Sequence, residues 1–436
     1  MLGDTSKSDD PDQIRLNVPE NSWSDKKKQH FKERLDALLS HPDFLLLYIP
    51  EGGEKMKIVK PANDSYHRHR IVQRTNEYSQ TPNTWYALSH VWGLSNTDQH
   101  LWYDIGQYVD DESGRPVAAV SMRHEKRNTL LKLLEDRPGS YWWIDVLCAR
   151  HDTPLEIMGD IYSCCFECIA MIDCEPDVIP QLRSLEESFY VRDPSSSTQC
   201  YDLYLELKYL LDRLLGCSWW ERVWTWQEMV LPYTVLLVAE TTTQISSDNM
   251  LNAEALQQVF DSMRCQLSSD CVKMGTALSQ LQYFSNLEEL IVSRSCHEKF
   301  ISGDNPTEWL VFLLCRLRKS SRRCMVPIDY VYGVLGVFQF SIPRMADTNA
   351  IWENFLSEID NLLTSDDYMV QSTPIRVTSH ARQLDLKAAN NLGDMYYNLL
   401  NCDLHLEMEG TVSRNEMSYT ITWTPRLVYH TNEHIM

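Results

Sequence analysis

No run of about 18 consecutive apolar residues occurs in this sequence, so hydropathy gives no membrane-spanning helix. The opening residues, Met1 to Asp12, are polar and acidic and lack the apolar segment of a secretory signal. Positive charge is scarce: 40 Lys and Arg stand against 61 Asp and Glu, a formal net charge of −21. Phosphate backbones and anionic bilayers are bound by basic surfaces, so a general nucleic-acid or membrane-surface role is excluded. One local exception, Arg318, Lys319, Arg322 and Arg323, reads as a solvated helix end whose charge suits the macrodipole. A Gly-rich phosphate loop is missing, because Gly333-Val334-Leu335-Gly336 is too short and lies in a helical pattern. Repeats and low-complexity tracts are absent as well.

What is present suits a large intracellular fold. A chain of 436 residues, 43% hydrophobic, can bury a substantial core in one large domain with extensions or in two domains. Thirteen cysteines, with no extracellular signal, read as reduced thiols, and a cytoplasmic location is expected. Cys164, Cys165, Cys168 and Cys174 crowd together, but only Cys165 and Cys168 have ligand-like spacing. No second pair completes a tetrahedral site, so they read as core and no metal is expected.

Residues 1–22 read as a disordered start. Ser24 to Leu39 follows as a helix with Phe31, Leu35, Leu38 and Leu39 on one stripe, ended by His41-Pro42. Gly52 to Pro82 is polar and turn-rich and yields no element. From Thr84 the pattern sharpens. Trp85 to His90, Tyr141 to Cys148, Cys168 to Ile172 and Thr234 to Ala239 are short apolar runs of strand length. Helical spacing separates them at Arg123–Glu135, from Thr153 onward, at Tyr201–Leu215, and from a Ser218–Glu221 capping box to Pro232. Asp173 to Gln199 reads as a long loop. Strands apolar throughout and alternating with helices predict an α/β fold, a mostly parallel sheet flanked by helices. Beyond 240 a helical continuation follows (Leu251–Leu267, Met274–Ser293, Pro306–Lys319, Asp329–Val337, Trp352–Leu363), then a small C-terminal extension with some β structure around Tyr419–Trp423.

Four segments carry a resemblance. They are Tyr86-Ala87-Leu88-Ser89-His90-Val91-Trp92-Gly93; Trp143 to Cys148 with Met158 to Tyr162 downstream; Trp219-Trp220-Glu221-Arg222-Val223-Trp224-Thr225-Trp226-Gln227-Glu228; and Asp329 to Gly336. In this order and spacing the chain resembles the heterokaryon-incompatibility (HET) family. It departs from it at Ala149-Arg150-His151, where the family has Ile-Asn-Gln. The resemblance implies a fold like that of Toll/interleukin-1-receptor domains and a role in fungal self/non-self recognition and programmed cell death. The resemblance covers about 84–337 and says nothing specific of the flanks. Taken with the residue pattern, the layout reads as a helical or irregular extension over 23–83, a HET domain with helical continuation over 84–345, and an α+β extension over 346–436. With no sensor domain in the chain, it also implies homotypic assembly or a separate sensor protein as partner.

Candidate chemistry gathers on few residues. If one helix runs on from Trp219, Trp220, Val223, Trp224, Gln227, Val230 and Leu231 share a face, with Glu228 at its edge. Glu228 is then either a capped-helix residue bonded to a neighbouring loop or a partly desolvated carboxylate facing developing positive charge. The W-x-x-x-E spacing from Trp224 to Glu228 is similar to that of Toll/interleukin-1-receptor domains that cleave NAD. That similarity implies Glu228 as catalytic carboxylate and NAD as a substrate, with no resident cofactor. Asp145, a charge in an apolar strand, must be paired, with backbone amides or an arginine such as Arg222, or lie at the strand's carboxyl end. Ser89, His90 and Trp92 follow the first strand toward the same crevice, and together with Asp145, Arg222 and Trp224 they are the candidate substrate-binding set. His90 reads either as structural or as polarising a substrate. Ser89 has no Gly-x-Ser-x-Gly around it and is not read as a nucleophile. Two functions follow, an assembly-activated NAD glycohydrolase or a signalling module without catalysis.

Overall fold

The computed structural model describes residues 12–19, 23–77, 81–92, 100–191, 197–242, 245–256, 289, 293–301, 306–365, 375–401, 404–415 and 418–429. The chain divides into two compact units, Met1–Ile169 with Pro232–Thr234, and Ala170–Leu231 with Val235–Met436. The predicted disordered start lies mostly outside the described residues. So do Gly93 and most of the predicted helices Leu251–Leu267 and Met274–Ser293. The start of the first is corrected: Leu251 and Asn252 belong to a strand, Met250–Asn252.

The fold is α/β. Twelve strands are described: β1 Leu46–Tyr48, β2 Met56–Val59, β3 Tyr86–His90, β4 Leu101–Trp102, β5 Val109–Asp110, β6 Val120–Ser121, β7 Tyr141–Ile144, β8 Glu167–Ile172, β9 Val235–Ala239, β10 Met250–Asn252, β11 Leu404–Asn415 and β12 Ser418–Tyr429. Eight of them form a mostly parallel sheet in the order β10-β9-β8-β3-β7-β1-β2-β5. In its centre β3 runs parallel to β7, Leu88 opposite Ile144. Cys168 N–H donates to Thr234 O at one end of the β8–β9 pair and Glu240 N–H to Ile172 O at the other, a constant offset that makes this pair parallel too. The antiparallel pairs flank this centre, β1 with β7 and β2 on one side and β9 with β10 on the other. All four residues of β7 are buried, as a strand covered on both faces requires.

In the first unit the predicted opening helix spans Asp25–Ser40, capped by Ser24, which accepts from Lys27 N at 3.2 Å, and it buries the expected Phe31, Leu35, Leu38 and Leu39. It packs on the helix Ile157–Cys164, with Arg34 3.1 Å from Asp160. The segment that gave no element holds β2 and a helix, Ser65–Glu77. That helix buries His67, Ile71, Val72 and Thr75, a stripe with only two aliphatics, so its period was weak.

Two expectations are corrected in the second unit. The predicted loop 173–199 contains a helix, Val178–Val191, with Val178, Ile179, Leu182 and Leu185 buried. Pro180 sits in its first turn, where a proline removes no hydrogen bond. The helix expected from Ser218 is broken: a 3-10 turn covers Ser218–Glu221, Arg222 is extended, and the α-helix spans only Thr225–Val230. Ser218 does not cap it. Asp173 takes the N–H groups of Ser218 (3.2 Å) and Trp219 (3.1 Å), together with the Ser218 hydroxyl.

The helix Asp329–Phe338 packs against Thr225–Val230, and Gly333 marks the contact. A Cβ there would meet Val223 Cγ1 at 2.5 Å. Alanine normally improves a helix by about 1 kcal/mol over glycine. Here the overlap wins, and Gly333→Ala is expected to destabilise the second unit by about 1–3 kcal/mol. Thermal melting of the variant checks this; an unchanged or higher midpoint would mean that Val223 yields freely.

Candidate functional site

The first unit assembles a buried polar chain at the carboxyl ends of β3 and β7, where ligands sit in parallel α/β sheets. β7 stops at Ile144, one residue before Asp145, which opens a single helical turn, Asp145–Cys148. The apolar run read as one strand to Cys148 is therefore a four-residue strand and a turn. This places the charge at the strand's end, one of the two positions the sequence allowed. His90 closes β3, and its Nε2 lies 2.9 Å from Asp145 Oδ1. Trp92 donates its indole N–H to Asp145 Oδ2, and Val146 N–H donates to Oδ1 at 2.7 Å. Lys126 Nζ stands 2.8 Å from His90 Nδ1 and also donates to Val91 O.

His90 Nδ1 also lies 3.3 Å from Val91 O. With Lys126 charged, the ammonium can only donate, so Nδ1 then accepts and the proton of a neutral His90 sits on Nε2, facing the carboxylate. The result is a directed relay, Lys126 to His90 to Asp145. Lys126 is 0% exposed, His90 1%, and the Asp145 side chain 13%, whereas Trp92 is 48% exposed. Lys126 escaped the sequence reading, yet it left a signal. It stands on the apolar stripe of the helix His124–Glu135 with Leu130, Leu133 and Leu134, a position where a charge needs a partner. Ser89 is buried, and strand alternation puts it on the opposite face of β3 from His90. The Ala149–His151 loop is tied down by Arg150, which donates to Leu147 O at 2.6 Å and meets Glu112 at 3.1 Å.

Arg222, Trp224 and Glu228 belong to the second unit, built around Arg322. This arginine was read as part of a solvated helix end, but it is 0% exposed. Its Nη1 donates to Trp220 O (2.8 Å), Arg222 O (3.1 Å) and Thr225 Oγ1 (2.7 Å). Arg222 and Arg323 bridge backbone to backbone, with Val223 N–H on Arg323 O at 3.0 Å. On its other side Arg322 Nε lies 3.6 Å from Glu289 Oε1. Burial lowers the basicity of Arg322, opposed by the charges of Glu289 and Glu228; burial likewise pushes the Glu289 carboxyl up, opposed by Arg322. Glu228 is 4% exposed and Gln227 0%. Arg222 and Trp224 are half-buried, and Trp224 hydrogen-bonds Asp329, whose carboxyl burial raises to about 6 against the pull of Trp224 and Arg222. Periodicity could not find Arg322, because its acceptors are about a hundred residues away in sequence.

Residues 85–228 match the family model described as Heterokaryon incompatibility protein (HET). The chain carries a HET domain. No curated protein and no solved structure matches it. The HET match starts at Trp85, just before β3, and ends on Glu228, so it takes in the relay and the Trp219–Glu228 motif. Arg322 and the Asp329–Gly336 motif, which pack on the end of that stretch, lie beyond it. The four neighbouring cysteines of this HET protein, Cys164, Cys165, Cys168 and Cys174, are buried, Cys164 and Cys168 completely. Among the described residues, no His, Cys, Asp and Glu cluster is placed to hold a metal ion, and no helix is long and apolar enough to cross a membrane.

Proposed function

We propose that this HET protein is a signalling module of fungal self/non-self recognition, which triggers programmed cell death in the cytoplasm through homotypic contacts or a separate sensor. One observation carries the choice of contacts over catalysis. Glu228 is enclosed at 4% exposure on a six-residue helix, and the Arg322 guanidinium is hooked on Thr225, its neighbour three residues back. Residues three apart on a helix are adjacent, so this carboxylate is walled in beside a cation. The working unit is proposed to extend over 84–345, a reading supported by the close packing of Gly333 on Val223.

A specific observation favours a second reading, an assembly-activated NAD glycohydrolase related to Toll/interleukin-1-receptor domains. Trp224 and Glu228 stand one turn apart, joined by Glu228 N–H to Trp224 O at 3.3 Å, so the W-x-x-x-E pair shares one face. After an opening, Glu228 would oppose the positive charge that grows on a ribose as its base leaves. NAD would be the substrate, met beside Glu228 by Arg222 and Trp224 of the same unit.

Purified full-length chain, concentrated to favour self-association, separates the two. The expected result is no NAD consumption, with wild type and Glu228→Gln killing expressing cells equally. Turnover that falls about 100-fold or more in Glu228→Gln at unchanged melting temperature would install the second reading. Turnover that persists in the variant would remove Glu228 from any catalytic role.

A further inference from the structure

The C-terminal extension takes no part in either reading, yet it carries an unusual element. β11 and β12 pair over twelve residues each, from Leu404 opposite Tyr429 to Asn415 opposite Ser418. Among the described residues no third strand joins them. β11 also approaches the helix Pro306–Leu317, which ties the ribbon to the second unit. By alternation and register, Leu406, Met408 and Val412 share a face with Ile421, Trp423 and Leu427. A ribbon of two strands is marginal in water and gains stability from a further strand.

The two outer edges differ. In an antiparallel ladder, pairs that exchange hydrogen bonds alternate with pairs whose N–H and C=O groups point outward. The pairing runs unbroken through Pro425, opposite Met408, and proline has no N–H to give. Met408–Pro425 is therefore an outward pair, and so are Leu406–Leu427, Gly410–Trp423 and Val412–Ile421. On β12 the proline interrupts the outer edge, a common guard against strand addition. On β11 the outward groups of Leu406, Met408, Gly410 and Val412 run on without one.

We propose that β11 pairs antiparallel with β11 of a second copy, giving a four-stranded sheet with β12 at both ends. The strand is complementary to itself. Centred on Gly410, Glu407 of one copy meets Ser413 of the other and Glu409 meets Thr411, so no like charges stand opposite. Met408 meets Val412, which joins the apolar rows of the two ribbons into one face. Copies of a chain with net charge −21 repel one another, so they need a contact, like this one, in which acid does not face acid. Only the β11 edge is unguarded, and twofold pairing uses it on both copies, so assembly closes as a dimer rather than growing as a filament. Backbone hydrogen bonds supply affinity, and the merged apolar face sets the register. The proposal gives the homotypic contacts of the signalling reading a place. It rests on that reading for its purpose and on the ribbon alone for the pairing.

The full-length chain, followed by light scattering from micromolar to submillimolar concentration, should double in mass. Val412→Pro removes one outward N–H of β11 and should keep the chain monomeric throughout. Ile421→Pro, its counterpart on the guarded edge, should leave the dimerisation constant within about twofold of wild type. On dimer formation, exchange of the Leu406, Met408 and Gly410 N–H groups should slow by about tenfold. The N–H groups of Glu407, Glu409 and Thr411, bonded within the hairpin, should be protected in monomer and dimer alike. Where the proline disturbs these, Val412→Lys, which keeps every N–H, replaces it. A wild type that stays monomeric at submillimolar concentration overturns the proposal. So does a dimer that both Val412 variants leave intact, or one that Ile421→Pro dissolves as readily. Mass and exchange are read without killing. Loss of the pairing therefore leaves signalling through a sensor standing, and loss of the signalling reading leaves the pairing standing.

Discussion

Arg322→Leu is expected to destabilise the second unit by about 3–5 kcal/mol, which lowers its unfolding transition by about 10 °C. Leucine fills much of the arginine's volume, so the cost is polar rather than steric. Three acceptors, Trp220 O, Arg222 O and Thr225 Oγ1, lose their shared donor inside the protein. The Glu289 carboxylate, 6% exposed, also loses its cation. Burial already pushes Glu289 upward and Arg322 opposes this, so without the arginine Glu289 takes up a proton more readily. The double variant Arg322→Leu, Glu289→Leu should regain part of the loss, because no uncompensated charge then remains at 289. Thermal melting of the single and double variants decides the point. A single variant within about 1 kcal/mol of wild type would mean that the guanidinium contributes packing and little else.

Asp145→Asn should cost the first unit about 3–4 kcal/mol despite nearly identical shape. The carboxylate accepts from the His90 imidazole, the Trp92 indole and Val146 N–H, and an asparagine offers one oxygen where two now serve. It also removes the negative end of the relay that begins at Lys126, leaving a fully buried ammonium without that balance. Trp92, half exposed and tied to Asp145 Oδ2, should then reorient, which a shift of tryptophan emission reports. Adding Lys126→Met to the variant should restore most of the lost stability. If the double variant is as unstable as the sum of the singles, the relay is not a coupled unit.

Much of this was legible in advance. The strands from Tyr86, Tyr141, Cys168 and Thr234 are apolar along their length, and such runs between helices leave few alternatives to a covered, largely parallel sheet. Three of the four ordered motifs lie within the stretch that matches the HET family, 85–228. Where reading failed, a local pattern was overruled by a distant partner. The Ser218 capping box lost to Asp173, which takes the Ser218 and Trp219 N–H groups and the Ser218 hydroxyl from forty-five residues away. Pro180 suggested a loop, although in a first helical turn proline is harmless.

The sequence by itself determined which segments are buried and in what order they alternate, because hydrophobic burial is set by residue type and period. That order, with the motifs, sufficed for the HET domain named at the outset of the resemblance. Only the tertiary structure decided where the charges go. An ionisable group inside a fold must find acceptors, donors or a counter-charge wherever the chain brings them near, as Lys126 finds His90 and Arg322 finds Glu289, Trp220 O, Arg222 O and Thr225. Those pairings depend on packing distance rather than spacing along the chain. They turned a presumed surface arginine into the centre of the second unit.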